Sequence, residues 1–234
     1  MKIEIWSDYA CPYCYIGKRR LEKALENFSD REDIEISFKS FELDPSASYK
    51  TTTNTRERIS EKYRISTEKA QQMIDSITEY AKSVGLDFNY DTVRYTNTFD
   101  AHRIAKYAET KGKGIEISEK LLHAYFTENK QMSDHKVLTD IAIEIGLDKL
   151  EVEDMLKGEE LRFAEDVRND EYEASRLGIH AVPFFVINEK YSISGAQPQE
   201  VFEQAIEKAL KEEKIEVDNL GGMVCNSDGC SIPD

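Results

Sequence analysis

The sequence predicts an α/β fold in which a small sheet is interrupted by a long helical segment. Alternating apolar and polar residues surround a helical pattern between Lys2 and Leu43. Residues 45 to 182 contain no convincing strand, and strand patterns return after them. A chain of 234 residues can bury a sizeable core, either as one large domain or as a small domain with a long insertion.

The N-terminal part predicts a strand, a helix and a second strand within residues 2 to 43. The run KIEIWSD alternates, and IGKRRLEKALENF places its apolar residues at helical spacing. A second alternating run, DIEISFKSFEL, ends at Asp44-Pro45, where proline cannot continue a hydrogen-bonded ladder. We expect the second strand to pair parallel to the first, because a crossover helix joins them.

The middle of the chain predicts an all-helical segment of five to seven helices. Examples are STEKAQQMIDSITEYAKSVG, NTFDAHRIAKYAETKG and SDHKVLTDIAIEIG. Each begins with Ser or Asn, whose side chain can cap the first free amides of a helix. Each ends at glycine, which adopts the left-handed conformation common after a helix.

The last part predicts a hairpin, a helix and an irregular tail. The segment VPFFVINEKYSISG contains two apolar runs around a polar link, and AQPQEVFEQAIEKALKEEK follows with Pro198 suited to a first helical turn. The tail IEVDNLGGMVCNSDGCSIPD is rich in turn-forming residues. We expect it to be loop-like, with a regular element at KIEV at most and Gly221-Gly222 as a flexible joint.

Composition argues against several classes of partner. The chain has 46 acidic and 31 basic residues and a formal charge of -15, which repels nucleic acid and anionic membrane surfaces. No stretch approaches the roughly 20 apolar residues of a membrane span, and the first residues lead into a strand without a signal-peptide pattern. We therefore expect a cytoplasmic protein, in which four cysteines are redox-active or metal-binding rather than structural disulfides.

The pair Cys11 and Cys14 combines spacing and placement suited to disulfide exchange. A cysteine in the first turn of a helix lies beside unpaired amides, which lower its pKa from about 8.5 toward 3.5–7.5. At three-residue spacing, Cys11 can attack a disulfide and Cys14 can resolve the mixed intermediate. We expect Cys11 to be accessible and Cys14 buried. Half of a zinc site is the alternative, although Tyr15 opens a helix where zinc knuckles commonly have glycine.

A second pair, Cys225 and Cys230, brackets the turn-forming sequence NSDG near the end of the chain. The turn can bring the two Cα atoms within disulfide range. So small a loop gains little stability from closure. A redox pair that exchanges with Cys11 and Cys14, an inert pair, and a metal site are the three alternatives.

Five motifs carry a resemblance to a known family. They are WSDYACPYCYIGK, NTFDAHR, GIHAVPFFVIN, SGAQ and the terminal CNSDGC. In this order they resemble the DsbA family of thiol–disulfide oxidoreductases in the thioredoxin-like superfamily, specifically its cytoplasmic FrnE-like branch. One departure is Tyr13, since Trp often stands between the cysteines in this branch, and we expect this to alter redox tuning rather than chemistry.

The resemblance implies a thioredoxin fold with a large all-helical insertion between the second strand and the cis-Pro strand. The thioredoxin-like domain would be discontinuous, formed by residues 1–44 and 183–213. Residues 45–182 would form the helical insertion domain, and residues 214–234 the tail. FrnE-like proteins carry such a terminal CxxxxC, which favours a secondary redox role for Cys225 and Cys230.

The resemblance also implies a substrate-binding surface. The Val182-Pro183 bond is expected to be cis and to face the two cysteines, with the Val182 backbone offered to the substrate chain. From the residues alone, an ordinary trans proline at a strand start is equally compatible. Pro12 and Tyr13, between the cysteines, complete the predicted surface.

Three polar residues are candidate neighbours of the active site. The resemblance places Asn97 and His102, from the NTFDAHR motif, near the cleft, whereas the residues alone are typical of a helix cap followed by a satisfied or solvated histidine. Asp8 could assist proton transfer from the buried thiol. An acid in a polar turn before a helix is its simpler interpretation.

The sequence therefore predicts a cytoplasmic thiol–disulfide oxidoreductase acting on protein or small-molecule disulfides and dithiols. We expect no metal and no cofactor beyond the redox-active disulfide, with glutathione as a candidate exchange partner. Reduction, oxidation and isomerisation are all compatible with the motif, and no oligomeric state is favoured. The alternatives are a glutathione-dependent isomerase or transferase of the 2-hydroxychromene-2-carboxylate isomerase and kappa type, which generally has Ser at the position of Cys11, and a zinc-stabilised chaperone-like module.

Overall fold

A four-stranded mixed sheet forms the centre of the fold. The computed structural model describes residues 1–29, 31–158, 161–219, 224–226 and 229–231. The strands of this sheet are β1 (Lys2–Ser7), β2 (Glu35–Ser40), β3 (Phe184–Ile187) and β4 (Tyr191–Ser194), in the spatial order β2-β1-β3-β4. As predicted, β2 is parallel to β1, while β3 and β4 form an antiparallel hairpin beside β1.

Helices account for most of the remaining described chain. They are α1 (Pro12–Leu25), α2 (Thr55–Tyr63), α3 (Thr67–Ser83), α4 (Phe99–Thr110), α5 (Gly114–Phe126), α6 (His135–Glu144), α7 (Lys149–Lys157), α8 (Ala164–Arg176) and α9 (Gln199–Asn219). Short 3-10 turns occur at Arg31–Asp33 and Tyr90–Thr92. Within residues 45–158 and 161–182 the structure has seven α-helices and no strand, which agrees with the predicted helical segment.

The helix starts follow from side-chain capping. Asn54 Oδ1 accepts a hydrogen bond from Glu57 N at 2.8 Å, and Asp148 Oδ1 accepts one from Glu151 N at 2.9 Å. Such caps satisfy amides that have no partner within the helix. After α3, Gly85 adopts a φ of 80°, as expected for a glycine that ends a helix.

The two faces of the sheet are covered by different helices. On one face, the apolar side chains of β1 and β3 pack with α1 and α9 in a core cluster that contains Ile3, Ile5, Leu21, Phe185, Phe202 and Ile206. On the other face, Trp6 packs with Ala174 of α8, and its indole N–H donates to Asp170 O at 3.1 Å. The sheet is therefore enclosed between α1 and α9 on one side and α8 on the other.

A separate, larger core joins the helical segment to the start of α1. This cluster includes apolar residues from α2 to α7 together with Tyr9, Ala10, Tyr15 and Ile16. The turn before α1 and one face of its first turn are thus buried against the inserted helices. The N-terminus of α1 lies between the sheet and the helical segment.

The expected loop-like tail is wrong for its described residues. Helix α9 continues to Asn219 and includes KIEV, because the preceding Lys and Glu residues favour continued helix. Strands β5 (Val224–Asn226) and β6 (Gly229–Ser231) then form an antiparallel hairpin. The polar, turn-forming composition of the tail concealed these short strands. The predicted joint at Gly221-Gly222 lies outside the described residues.

Candidate active site

Cys11 and Cys14 lie at the N-terminus of α1, directly after β1. Cys11 is the N-cap residue, with extended φ and ψ of -95° and 111°, and Pro12 begins the helix. Cys11 N donates to Asp8 O at 3.1 Å, and Cys14 N donates to Cys11 O at 3.1 Å. Both are free thiols. The first free amides of α1 and the positive end of its dipole therefore lie beside the two sulfur atoms.

The prediction that Cys11 is accessible is wrong, whereas the predicted burial of Cys14 is confirmed. Cys11 is 4% exposed and Cys14 is 2% exposed, so both are buried. The segment before β3 contributes to this burial, since Val182 O accepts a hydrogen bond from Cys11 Sγ at 3.6 Å. Local sequence at the helix start contains no information about this distant segment.

The environment of Cys14 favours its protonated form. Burial raises the pKa of the Cys14 thiol well above its ordinary value, and a hydrogen bond with Cys11 raises it further. The Ser7 hydroxyl and the Asp8 backbone act in the opposite direction, but more weakly. A buried thiol that keeps its proton can donate a hydrogen bond to a neighbouring thiolate.

The Val182-Pro183 peptide bond is cis and lies against the cysteines, as predicted. Pro183 packs on α1: a Cβ atom added to Gly17 would lie 3.1 Å from Pro183 Cγ. Pro183 O accepts a hydrogen bond from Gly195 N at 2.8 Å, within the SGAQ motif. These contacts hold the Val182 carbonyl beside Cys11 Sγ.

Asp8 organises the turn that precedes α1. Its carboxylate is buried and accepts hydrogen bonds from Ala10 N at 3.2 Å and from Leu43 N at 2.7 Å. These bonds fix the cysteine turn to the segment that follows β2. His102 Nε2 lies 3.6 Å from Asp8 Oδ1, and the His102 ring contacts the Tyr9 ring with 4.8 Å between centroids.

Asn97 serves the start of α4. Its Oδ1 accepts from Phe99 N at 2.8 Å, and its Nδ2 donates to Pro45 O at 3.2 Å. Thr98, the N-cap residue, makes no side-chain capping bond of its own. The structure therefore brings His102 to Asp8 at the base of the cysteine turn, while Asn97 joins the helix start to the end of the β2 segment.

Pro12 and Tyr13 occupy different environments. Pro12 is buried, whereas Tyr13 is 42% exposed. Burial raises the pKa of Tyr13, with further contributions from Tyr80, Cys11 and Tyr63. Tyr63 at the end of α2 and Tyr80 on α3 are also exposed. Sequence reasoning missed Tyr63 and Tyr80, because no local pattern relates them to the cysteines.

An ion-pair cluster on α1, after the two cysteines, was also missed. Lys18 is buried and contacts Glu22 on its own helix and Glu119 on α5, with 2.5 Å between Lys18 Nζ and Glu119 Oε2. Tyr15 Oη donates to Glu119 Oε1 at 2.5 Å, and Arg19 contacts the same carboxylate. This cluster joins the cysteine-bearing helix to the inserted helices.

The tail cysteines lie opposite each other in the β5–β6 hairpin. Cys225 and Cys230 are Cα partners in its register. Among the residues that the structure describes, no group of three or more His, Cys, Asp or Glu side chains could hold a metal ion. Over the same residues, no helix is both long enough and apolar enough to span a bilayer.

A dithiol at the start of the helix after β1, a cis proline beside it and a mixed four-stranded sheet together define a DsbA-like thioredoxin fold. The chain belongs to the DSBA-like thioredoxin domain family, whose model matches residues 2–207. It is 31% identical over 215 residues to the uncharacterized protein YwbO of Bacillus subtilis, covering 89% of this chain and 97% of that protein.

Solved structures share the same architecture. A probable DsbA oxidoreductase from Streptomyces coelicolor is 35% identical, with a TM-score of 0.85 and 100% of both chains covered. The cytosolic disulfide reductase DsbM from Pseudomonas aeruginosa, in a structure with GSH, is 15% identical, with a TM-score of 0.63 over 90% of this chain and 100% of that one. The likeness to the second structure concerns the fold alone.

Proposed function

We propose that this protein is a thiol–disulfide oxidoreductase that uses Cys11 as the nucleophile and Cys14 as the resolving thiol. The observation that carries this proposal is the arrangement of the two sulfur atoms at the N-terminus of α1. Cys11 Sγ lies 3.6 Å from the Val182 carbonyl oxygen, and Cys14 is the thiol whose pKa is raised by burial and by Cys11. A thiolate at Cys11 would be stabilised by the helix N-terminus and by the Cys14 S–H donor.

The reaction proceeds by two exchanges. The Cys11 thiolate attacks one sulfur of a substrate disulfide, forming a mixed disulfide and releasing the other sulfur as a thiolate that takes up a proton. Cys14 then loses its proton and attacks Cys11 Sγ, which releases the second substrate thiol. The substrate gains two electrons, and the protein is left with a Cys11–Cys14 disulfide. Run in reverse, the same steps oxidise a dithiol.

The substrate is positioned by the edge beside the cysteines. The Val182 carbonyl lies beside Cys11 Sγ and is followed by Pro183, while Pro12 and the exposed Tyr13 follow Cys11 in the first turn of α1. This arrangement suits an extended peptide segment or a small disulfide. The Pseudomonas disulfide reductase is described with glutathione, and glutathione is our candidate small exchange partner.

Three further parts of the proposal concern regulation and setting. Cys225 and Cys230 form a secondary pair that passes electrons to or from the first, which their facing register supports. Asp8, His102 and Asn97 position the cysteine turn and its surroundings rather than react. The protein also belongs, in this proposal, to the FrnE-like branch and to the cytoplasm. In such a reducing compartment, closely spaced cysteines are redox-active more often than structural.

The isomerase alternative receives less support from the site. That class generally lacks the second cysteine, whereas here Cys14 contacts Cys11 and is buried in the first turn of α1. The zinc-stabilised module predicts bound metal in protein purified without oxygen. Metal content measured on such protein distinguishes this module from an oxidoreductase.

The proposal is tested by trapping the intermediate. Cys14→Ser should accumulate a mixed disulfide with a protein or small disulfide, because nothing resolves it, and mass spectrometry should place the adduct on Cys11. Cys11→Ser is the matched control and should form no adduct under the same conditions. Faster alkylation of Cys14 than of Cys11 near neutral pH, or an adduct on Cys14, would reverse the assigned roles.

A further inference from the structure

His102 is a buried histidine whose ring nitrogen lacks a hydrogen bond. The residue lies on α4 and is 2% exposed. Its Nε2 atom has no hydrogen-bond partner among the residues that the structure describes, and Asp8 Oδ1, at 3.6 Å, lies just beyond hydrogen-bonding distance. A buried polar atom without a partner costs free energy. An apolar residue of similar size would avoid this cost, so core packing alone does not explain the imidazole.

Asp8, the acid beside His102, has no other cationic partner in the described part of the chain. It is 2% exposed, and no lysine or arginine within that part forms an ion pair with it. Its two carboxylate oxygens accept one backbone N–H each, from Ala10 and Leu43. Each oxygen can accept a second hydrogen bond. Because a buried charge is stabilised when it is paired, protonation of His102 would give Asp8 a counter-ion.

Asp8 connects His102 to the dithiol by direct contacts. Asp8 O accepts a hydrogen bond from Cys11 N at 3.1 Å. Asp8 Oδ1, the atom nearest His102 Nε2, accepts one from Ala10 N at 3.2 Å, and Ala10 directly precedes Cys11. The His102 ring also contacts the Tyr9 ring, with 4.8 Å between centroids. A change in the charge of His102 therefore acts on the turn that carries Cys11.

The other titratable groups near His102 are either paired or neutral. Glu42, in the segment after β2, has a side chain that is 1% exposed and pairs with Arg168 on α8 at 2.5 Å. Burial raises the pKa of Glu42, while Arg168 and His102 lower it. Lys106, one turn further along α4, forms an ion pair with α8.

Tyr9 is the remaining titratable side chain in contact with the ring. Burial raises the pKa of the Tyr9 hydroxyl, so it stays neutral, and Ser118 on α5 lies 3.3 Å from it. Asp8 is therefore the acid beside His102 whose negative charge is not already offset by lysine or arginine in the described structure.

We propose that His102 is a positioning residue for disulfide exchange: when protonated it pairs with Asp8 and favours the thiolate form of Cys11. This inference rests on the proposed function and adds a regulation by pH to the same site. A proton on His102 offsets the negative charge of Asp8, which otherwise repels a thiolate in the same turn. Histidine is the side chain that ordinarily changes charge between about pH 5 and 8. The imidazole acts through Asp8 and does not touch the substrate.

The pH profile of Cys11 reactivity is the first test. Alkylation of Cys11 by iodoacetamide is followed by mass spectrometry between about pH 5 and 9 in wild type and in His102→Gln. We expect the midpoint of the profile to move to higher pH by about 0.5 to 1 pH unit in the variant. His123→Gln, an exposed histidine on α5, is the matched control and should not move it. An unmoved midpoint, or slowing by the same factor at every pH, makes His102 structural and overturns the inference.

Asp8→Asn decides whether His102 acts through Asp8. This variant removes the charge and keeps an oxygen that can accept a hydrogen bond in the turn. In its background, His102→Gln should not move the midpoint further, because a buried imidazole without an acidic partner favours its neutral form. Equal shifts caused by His102→Gln with and without Asp8 overturn the inference.

Histidine NMR gives a measurement that does not depend on folding of a His102 variant. The His102 ring is titrated in the reduced wild-type protein and in Cys11→Ser. Coupling between two sites is reciprocal, so the His102 midpoint should fall when the Cys11 thiolate is removed, while His123 should titrate alike in both proteins. Equal His102 midpoints in the two proteins overturn the inference.

Exchange assays separate this inference from the proposed function. Turnover of hydroxyethyl disulfide is measured over the same pH range in wild type and in His102→Gln. If the wild-type protein exchanges no disulfide while Cys11 alkylation still depends on His102, the proposed function fails and the coupling stands. If exchange is efficient and its pH profile is the same in both proteins, the function stands and the coupling fails.

Discussion

Glu119 should contribute measurably to stability, because three cationic or polar groups converge on it. Its carboxylate accepts from Tyr15 and contacts Lys18 and Arg19, all on the cysteine-bearing α1. Glu119→Gln keeps the shape of the side chain and removes the charge. Lys18, which is almost fully buried, is then left with Glu22 as its acidic partner.

The magnitude follows from the pKa of Glu119. Burial alone would raise that pKa, but the charge of Lys18 and the hydrogen bonds from Lys18, Tyr15 and Arg19 outweigh it and lower the pKa from 4.5 to about 2. A shift of this size corresponds to about 3 kcal/mol. The side chain is 30% exposed, so solvent screening reduces the expected contribution to about 2 kcal/mol.

The downward shift of the Glu119 pKa makes the stability of the protein depend on pH in a way that can be measured. Because the pKa is lower in the folded state, the stabilisation is fully present above about pH 4.5 and is lost as pH falls toward about pH 2. Glu119→Gln should therefore lower the free energy of unfolding at pH 7 by about 2 kcal/mol. At about pH 2 the Glu119 carboxyl is about half protonated in the folded protein and almost fully protonated in the unfolded chain, so most of the stabilisation is lost and the two proteins should approach each other.

Urea unfolding followed by circular dichroism at pH 7, 4.5 and 2.5 tests this reasoning. Glu116→Gln is the matched control on the same helix, since Glu116 contacts Lys113 at the surface and should contribute less than 1 kcal/mol. Equal losses for the two variants at pH 7 would refute the argument. So would a difference between wild type and Glu119→Gln that stays constant from pH 7 to pH 2.5.

Two further predictions concern the packing of α1 and the tail. Gly17→Ala should destabilise the protein by about 1–3 kcal/mol and slow disulfide exchange, because the added Cβ would press on Pro183. Thermal unfolding and exchange assays measure both effects. Gly114→Ala is the control, since its Cβ would make ordinary contacts of 3.6 Å. Changing Cys225 and Cys230 to Ser should slow turnover of a protein disulfide and leave the melting temperature unchanged. Metal release with a large drop in melting temperature would instead favour zinc, and no change in either measurement would make the pair bystanders.

The sequence predicted best those features that depend on residues close together in the chain. The position of Cys11 at the start of a helix follows from its neighbours: an alternating strand before it and helical spacing after it. The hairpin after Pro183 follows from two apolar runs around a short polar link. The cis bond at Pro183 came from the resemblance, since the residues alone were also compatible with a trans bond.

The sequence was least informative where distant segments meet. Burial of Cys11 depends on a carbonyl 171 positions away, and the Glu119 cluster depends on contacts across about 100 positions. Periodicity shows which face of a helix is apolar, but not which helix covers it.

The central position of β1 has a consequence for synthesis. On one side β1 pairs with β3, which comes late in the chain: Ile3 lies opposite Ile187. At a translation rate of about 5–20 residues per second, β1 waits about 10–40 s for that partner to be made. During this interval one hydrogen-bonding edge of β1 has no strand to pair with, and exposed edges promote association between chains.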